Sequence, residues 1–170
     1  YRNSRLDCYK NEPSWQDLNE LYVLRDALES CAAEEAARYI TEEQLVELES
    51  ILGRMQGICA EIAARQARGA TPAMLNRWLD NEEEFHATLI DASRNRLLSK
   101  VIRDHRAVTR VFDAQRHDPS ILTAAVAETT CRDRQKLLKS LRERNAALSR
   151  HLMSEQIQNG RKMVLDHFKN

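Results

Sequence analysis

Apolar residues recur along most of the chain at three- and four-residue intervals, the period of an amphipathic helix rather than a strand. The clearest stretch is Thr71 to Asn95, TPAMLNRWLDNEEEFHATLIDASRN. Thr71 supplies an N-cap, Pro72 takes the favoured first-turn position, and Leu75, Trp78, Leu79, Phe85 and Leu89 form the stripe. Upstream, Ser14 caps a helix to about Tyr39 whose apolar face is Leu18, Leu21, Leu24, Leu28, Cys31 and Ala32. Thr41 with Gln44 fits a capping box and opens a second helix, from Leu45 through Ile62 to about Arg68. After a break at Ser93 to Asn95, a fourth helix carries Leu97, Leu98, Val101, Ile102, Val108 and Phe112 and ends at His117-Asp118-Pro119. Ser120 caps a fifth, with Cys131, Leu137, Leu138 and Leu141 inward. Asn145 caps a sixth to about Phe168, lined by Leu148, Leu152, Met153, Ile157 and Val164. Connections this short favour antiparallel neighbours, so the pattern predicts an all-α antiparallel bundle over residues 14–170, preceded by a linker or arm at 1–13.

The stripes are interrupted by polar residues, and those interruptions carry the candidate chemistry. Glu82 lies one turn after Trp78 and His86 one turn after Glu82, so the two are neighbours on or beside the inward face. Arg134 falls between Cys131 and Leu138, and Gln156 sits one turn past Leu152. Arg25 is spaced for a surface ion pair with Glu29 or for an inward anion contact. His105, between Val101 and Val108, reads as a satisfied core histidine. A guanidinium cannot shed its charge, so a buried Arg134 needs an anion. That anion is either Glu82, as a closed internal pair, or a bound carboxylate held by Arg134 with His86, Gln156, Glu82 and Arg25 around it. A metal site is the second reading: Glu82 and His86 have ligand spacing, with His105 or His151 nearby, but Arg134 has no lone pair to offer. A dimerisation bundle with a filled core is a third. No enzymatic activity is expected, because no nucleophile motif or phosphate loop accompanies the Glu82/His86 pair.

Composition narrows this further. Lys plus Arg and Asp plus Glu are 26 each, a balance that does not suit a chain gripping DNA by itself. Only 4 glycines and 3 prolines occur, which argues against a sandwich or barrel. Cys8, Cys31, Cys59 and Cys131 are scattered and form no CxxC; they read as free thiols, buried where they fall on helical apolar faces, in a cytoplasmic protein. There is no apolar run of membrane length. The first residue is Tyr1, so a preceding segment is expected.

Three stretches carry a family resemblance: Leu21 to Leu45, LYVLRDALESCAAEEAARYITEEQL; Glu82 to Leu98, EEEFHATLIDASRNRLL; and Arg132 to Asn145, RDRQKLLKSLRERN. Together they resemble the C-terminal FCD domain of FadR-type GntR bacterial transcription regulators, over nearly the whole chain from about Ser14. The Phe85-His86 pair with the following A-S-x-N is the most specific part. The resemblance implies an antiparallel bundle of six or seven helices, effector binding, homodimerisation, and DNA contact only through an N-terminal winged helix-turn-helix. It also implies a metal site of one aspartate and three histidines, which maps onto Glu82, His86, Arg134 and Gln156. Three of those four positions differ, and two replacements remove metal ligands. A register placing the last ligand at His151 puts the preceding one at Thr129 and does not restore the set. No metal is therefore assigned, beyond weak divalent binding at Glu82/His86. The expected effector is a small organic acid, with Arg134 standing in for the cation.

Overall fold

In the computed structural model, residues 13–169 are described; Cys8 and all but the last residue of the linker or arm at 1–13 lie outside them. Among the described residues seven α-helices follow one another: α1 (Trp15–Tyr39), α2 (Glu42–Ala64), α3 (Pro72–Ala92), α4 (Arg96–Asp104), α5 (Ala107–Asp113), α6 (Ala124–Arg142) and α7 (Ala146–Lys169). Short 3-10 turns at Gln66–Arg68 and Pro119–Ile121 complete the order, and no strand occurs among the described residues. Among them, too, no helix is long and apolar enough to cross a membrane.

Local capping fixes most of the helix starts. The Ser14 hydroxyl accepts from Asp17 N at 3.1 Å while the Asp17 carboxylate accepts from Ser14 N at 2.9 Å. Thr41 and Gln44 make the reciprocal pair expected of them, both at 3.1 Å. Thr71 caps α3 with Pro72 at its first position, and Asn95 and Asn145 cap α4 and α7 through Leu98 N and Leu148 N. The fifth predicted start is displaced. Asp118 takes Ser120 N at 3.0 Å and turns Pro119–Ile121 into a 3-10 element, so Thr123, not Ser120, caps α6.

The predicted fourth helix is two helices. The chain breaks at His105, which ends α4 exposed to solvent and not in the core, and at Arg106, whose φ of 49° is left-handed. That turn re-aims the chain so that Ala107, Val108, Val111 and Phe112 face inward. A straight continuation could not have buried both Ile102 and this set on one line.

Cross-helix contacts define the packing. Pairs Asn19–Arg161, Asp26–Gln158 and Glu34–Arg150 show α1 and α7 antiparallel along their length. Thr88–Glu47, Arg54–Glu84 and Arg77–Glu61 do the same for α2 and α3. Arg142 reaches Glu42 and Glu49, laying α6 antiparallel to α2, and α6 and α7 form a hairpin closed by the buried Ser140–Ser149 hydroxyl pair at 2.8 Å. The core lies between these layers, with Phe85, Leu89, Leu48, Ile51, Met55, Leu137 and Met153 fully enclosed.

Two faces are rotated from the sequence expectation. On α1 the buried line is Leu18, Tyr22, Arg25, Glu29, Ala33 and Ala36, whereas Leu24, Leu28 and Cys31 are only partly covered. On α7 Ser149 is buried while Leu148 is 38% exposed. Both rotations turn a polar residue inward, and on α1 those residues belong to the site.

The break at Arg106 can be checked by its sign. A glycine inside a continuous helix lowers stability by about 1 kcal/mol. At a left-handed position it instead relieves about 1–2 kcal/mol of steric strain, more than its added chain entropy removes. Arg106→Gly is expected to leave the melting temperature unchanged or raise it; a drop of several degrees would show α4 and α5 to be one helix.

Candidate functional site

Five residues singled out in the sequence come together. Arg25 from α1, Glu82 and His86 from α3, Arg134 from α6 and Gln156 from α7 all line one cavity of about 360 Å³. His105 and His151 do not join them; both are exposed, and His151 pairs with Glu155 on its own helix at 3.5 Å. This removes the histidines invoked for a metal set beside Glu82 and His86.

The geometry centres on Arg134, which is 5% exposed. Its Nη2 donates to both oxygens of Glu82, at 3.1 and 3.0 Å, and lies 3.1 Å from His86 Nε2. Its Nη1 donates to the Gln156 side-chain carbonyl, and Gln156 in turn donates to the Asp133 backbone carbonyl at 2.7 Å. The guanidinium lies over the Phe85 ring, 5.0 Å from its centroid. Its Nε is buried and, among the described residues, has no hydrogen-bond partner. Glu82 therefore shares one nitrogen, Nη2, between its two oxygens, and Nε is left out of the pairing.

The sequence underrated Glu29, which is the second anion of the site and 1% exposed. Arg25 does pair with it, at 2.6 Å, but the pair is turned inward and not on the surface. Its other oxygen meets His86 Nδ1 at 2.5 Å. A signal was present: Leu18, Tyr22, Arg25, Glu29, Ala33 and Ala36 follow one helical line, so Glu29 stands on the same stripe as residues that must be covered.

The state of His86 follows from its neighbours. Arg25 Nη2, at 3.4 Å, and Arg134 Nη2 both point to Nε2, and a guanidinium only donates. Nε2 must therefore accept, which puts the proton of the neutral ring on Nδ1, donating to Glu29. Burial, with the two arginines, holds the His86 pKa below its ordinary value despite Glu29. For Glu29, burial pushes the carboxyl up, but Arg25 and the hydrogen bonds from Arg25 and His86 outweigh it and hold it at about 2. Arg25 is pushed down by burial, yet Glu29 raises it above the ordinary guanidinium value. Arg25, Arg134, Glu29, Glu82 and His86 thus carry two positive charges, two negative charges and a neutral imidazole. The cluster compensates itself, as buried charges require.

Both depressed pKa values work in the same direction. Each means that the unfolded chain binds more protons than the folded one, so stability rises with pH through the window. The Glu29 contribution is present above the ordinary 4.5 and disappears as pH falls toward 2. The His86 contribution is present above the ordinary 6.5 and shrinks below it. The melting temperature is expected to fall on acidification from neutral pH, beginning below 6.5, and His86→Gln is expected to remove that first limb. A flat profile down to pH 5 in the unaltered chain would contradict the buried neutral imidazole.

Comparison with known proteins bears on the whole chain. The family model for the FCD domain matches residues 20–159. E. coli McbR/YncC is similar in structure, with a TM-score of 0.74 and 19% identity over 91% of this chain and 66% of that one. Streptococcus agalactiae GntR gives 0.62 and 21% over 88% and 60%. Lar, described as controlling expression of the Listeria monocytogenes agr system and mediating virulence, gives 0.65 and 15% over 89% and 64%. The chain thus spans less than two-thirds of the length of these proteins. No curated protein matches it. With its family model matched over most of its length and its helices laid out as in GntR-family regulators, the chain belongs to the FCD domain family.

Proposed function

We propose that this domain is the effector-sensing and dimerisation part of a cytoplasmic DNA-binding transcription regulator, and that it holds a small organic acid in the cavity at Arg134. DNA would be met by an N-terminal domain outside this sequence, in line with regulators such as McbR and Lar that the fold resembles. One observation carries the effector reading: a buried guanidinium, Arg134, lines a cavity of about 360 Å³ together with Arg25, Glu82, His86 and Gln156. A filled dimerisation core would have no such space. Arg25, His86, Glu82 and Gln156 complete the site as donors and as the frame that keeps Arg134 in place.

The route outward is short. Gln156 belongs to α7, and α7 lies along the whole of α1, where the preceding chain enters. A carboxylate that draws Arg134 away from Gln156 shifts the α6–α7 hairpin and with it α1. This is a population shift between two packings.

Calorimetric titration with a panel of carboxylic acids tests the reading. The control is the double variant Glu82→Gln/Arg134→Met, which removes one charge of each sign and spares the fold an unpaired buried ion. A charge-assisted hydrogen bond contributes about 1.5–3 kcal/mol, so affinity is expected to fall roughly ten- to a hundredfold in the variant. Equal affinity in both proteins would overturn it. Sedimentation of the same unaltered sample is expected to give twice the chain mass.

A further inference from the structure

The cavity is not uniform along its length. Helix register places polar residues of its lining near one level: Glu82 and His86 on α3, Arg134 on α6, Gln156 on α7. One to two turns away, at the N-terminal ends of α3 and α6 and further along α7, the lining includes Trp78, Leu79, Leu122, Val126 and Met163 alongside the polar Thr129, Thr130 and Asn159. The site therefore has a polar head and an apolar arm.

The head can accept only one anion. Arg25 already pairs with Glu29 at 2.6 Å and Arg134 with Glu82 at 3.0 Å, so neither guanidinium is an unpaired cation. Glu82 and Asp133 also line the cavity, so a second carboxylate would meet like charge. A first carboxylate must share the Arg134 guanidinium with Glu82, and a second would add another negative charge beside Glu82 and Asp133. The arm, by contrast, gains from apolar contact, at about 25 cal/mol per Å² removed from water.

From this we infer that the cavity takes an amphipathic monocarboxylate, an aromatic or branched-chain acid whose single carboxylate meets Arg134 and whose body lies along Trp78, Leu122, Val126 and Met163. Dicarboxylates are excluded by the same count. The inference rests on the effector reading above and specifies its ligand class.

Gly160 gives a fold-neutral probe of the arm. A Cβ there would lie 3.7 Å from the Tyr22 ring and 3.9 Å from its hydroxyl, ordinary contact distances on the cavity wall. Gly160→Ala thus fills part of the cavity while favouring the helix. A methyl group in an apolar pocket is felt as about tenfold in affinity.

The experiment titrates phenylacetate, cinnamate, phenylacetamide and glutarate at up to millimolar concentration into the wild type and Gly160→Ala. Phenylacetate or cinnamate is expected to bind at least tenfold tighter than glutarate and than the uncharged amide, with about tenfold loss in Gly160→Ala at unchanged or higher melting temperature. Glutarate binding as tightly as the aromatic acids would overturn the ligand class and leave the effector pocket standing. Phenylacetamide binding as tightly as phenylacetate would remove the carboxylate from both readings. No binding by any of the acids would overturn both, and unchanged affinity in Gly160→Ala would overturn the arm.

Discussion

The contact between the Arg134 guanidinium and the Glu82 carboxylate ties α6 to α3 in the interior, and the rest of the site is arranged around it. Neither ion can be left alone there. Removing one partner of a buried pair typically costs about 3–5 kcal/mol, because the other is stranded in a low dielectric. The structure answers by enclosing the pair in further donors and acceptors. His86 accepts from the same nitrogen, Gln156 takes the next one, and Glu29 with Arg25 fixes His86 from the far side. A chain of hydrogen bonds thus runs from α1 through α3 and α6 to α7. Its members hold one another in single rotamers, which is why space can persist beside them without collapse.

That space is what distinguishes the domain from a plain bundle. The polar groups of the site satisfy one another nearly completely; among the described residues the buried donor atom without a partner, Nε, belongs to the residue at their centre. The apolar residues further along the cavity have no partner of that kind and gain only by being covered. Charge compensation at one end and uncovered hydrocarbon at the other give a single preferred orientation to whatever occupies the cavity. Coupling to the outside needs no separate device, since Gln156 sits on the helix that pairs with α1.

Local signals made much of this legible in the sequence. Ser14, Thr41, Thr71 and Asn145 each begin a helix because a side-chain oxygen three residues before a free backbone N–H is a self-contained interaction. Glu82, His86, Arg134 and Gln156 stood out because each breaks an apolar stripe, and they converge as that implies. Glu29 did not stand out, because an arginine–glutamate pair four residues apart looks the same on a surface as in a core. What decides between them is Tyr22, Ala33 and Ala36, whose small or mixed character weighs little against the leucines beside them. The α4–α5 break was hidden for a related reason. Its left-handed residue is Arg106, where a glycine would have announced the turn. Ser120 and Thr123 are both competent caps, and only the competing Asp118 side chain selects between them.

The central claim is that Arg134 is fixed inside the bundle, with each outer nitrogen in its own hydrogen bond. Nitrogen-15 spectra of the arginine side chains measure this directly, with Arg134 assigned through an Arg134→Lys variant. The account predicts separately resolved Nη signals for Arg134 that persist at neutral pH, because rotation about the guanidinium bond and exchange with water are both blocked. A single averaged signal exchanging rapidly with water, like that of a surface arginine, would contradict it.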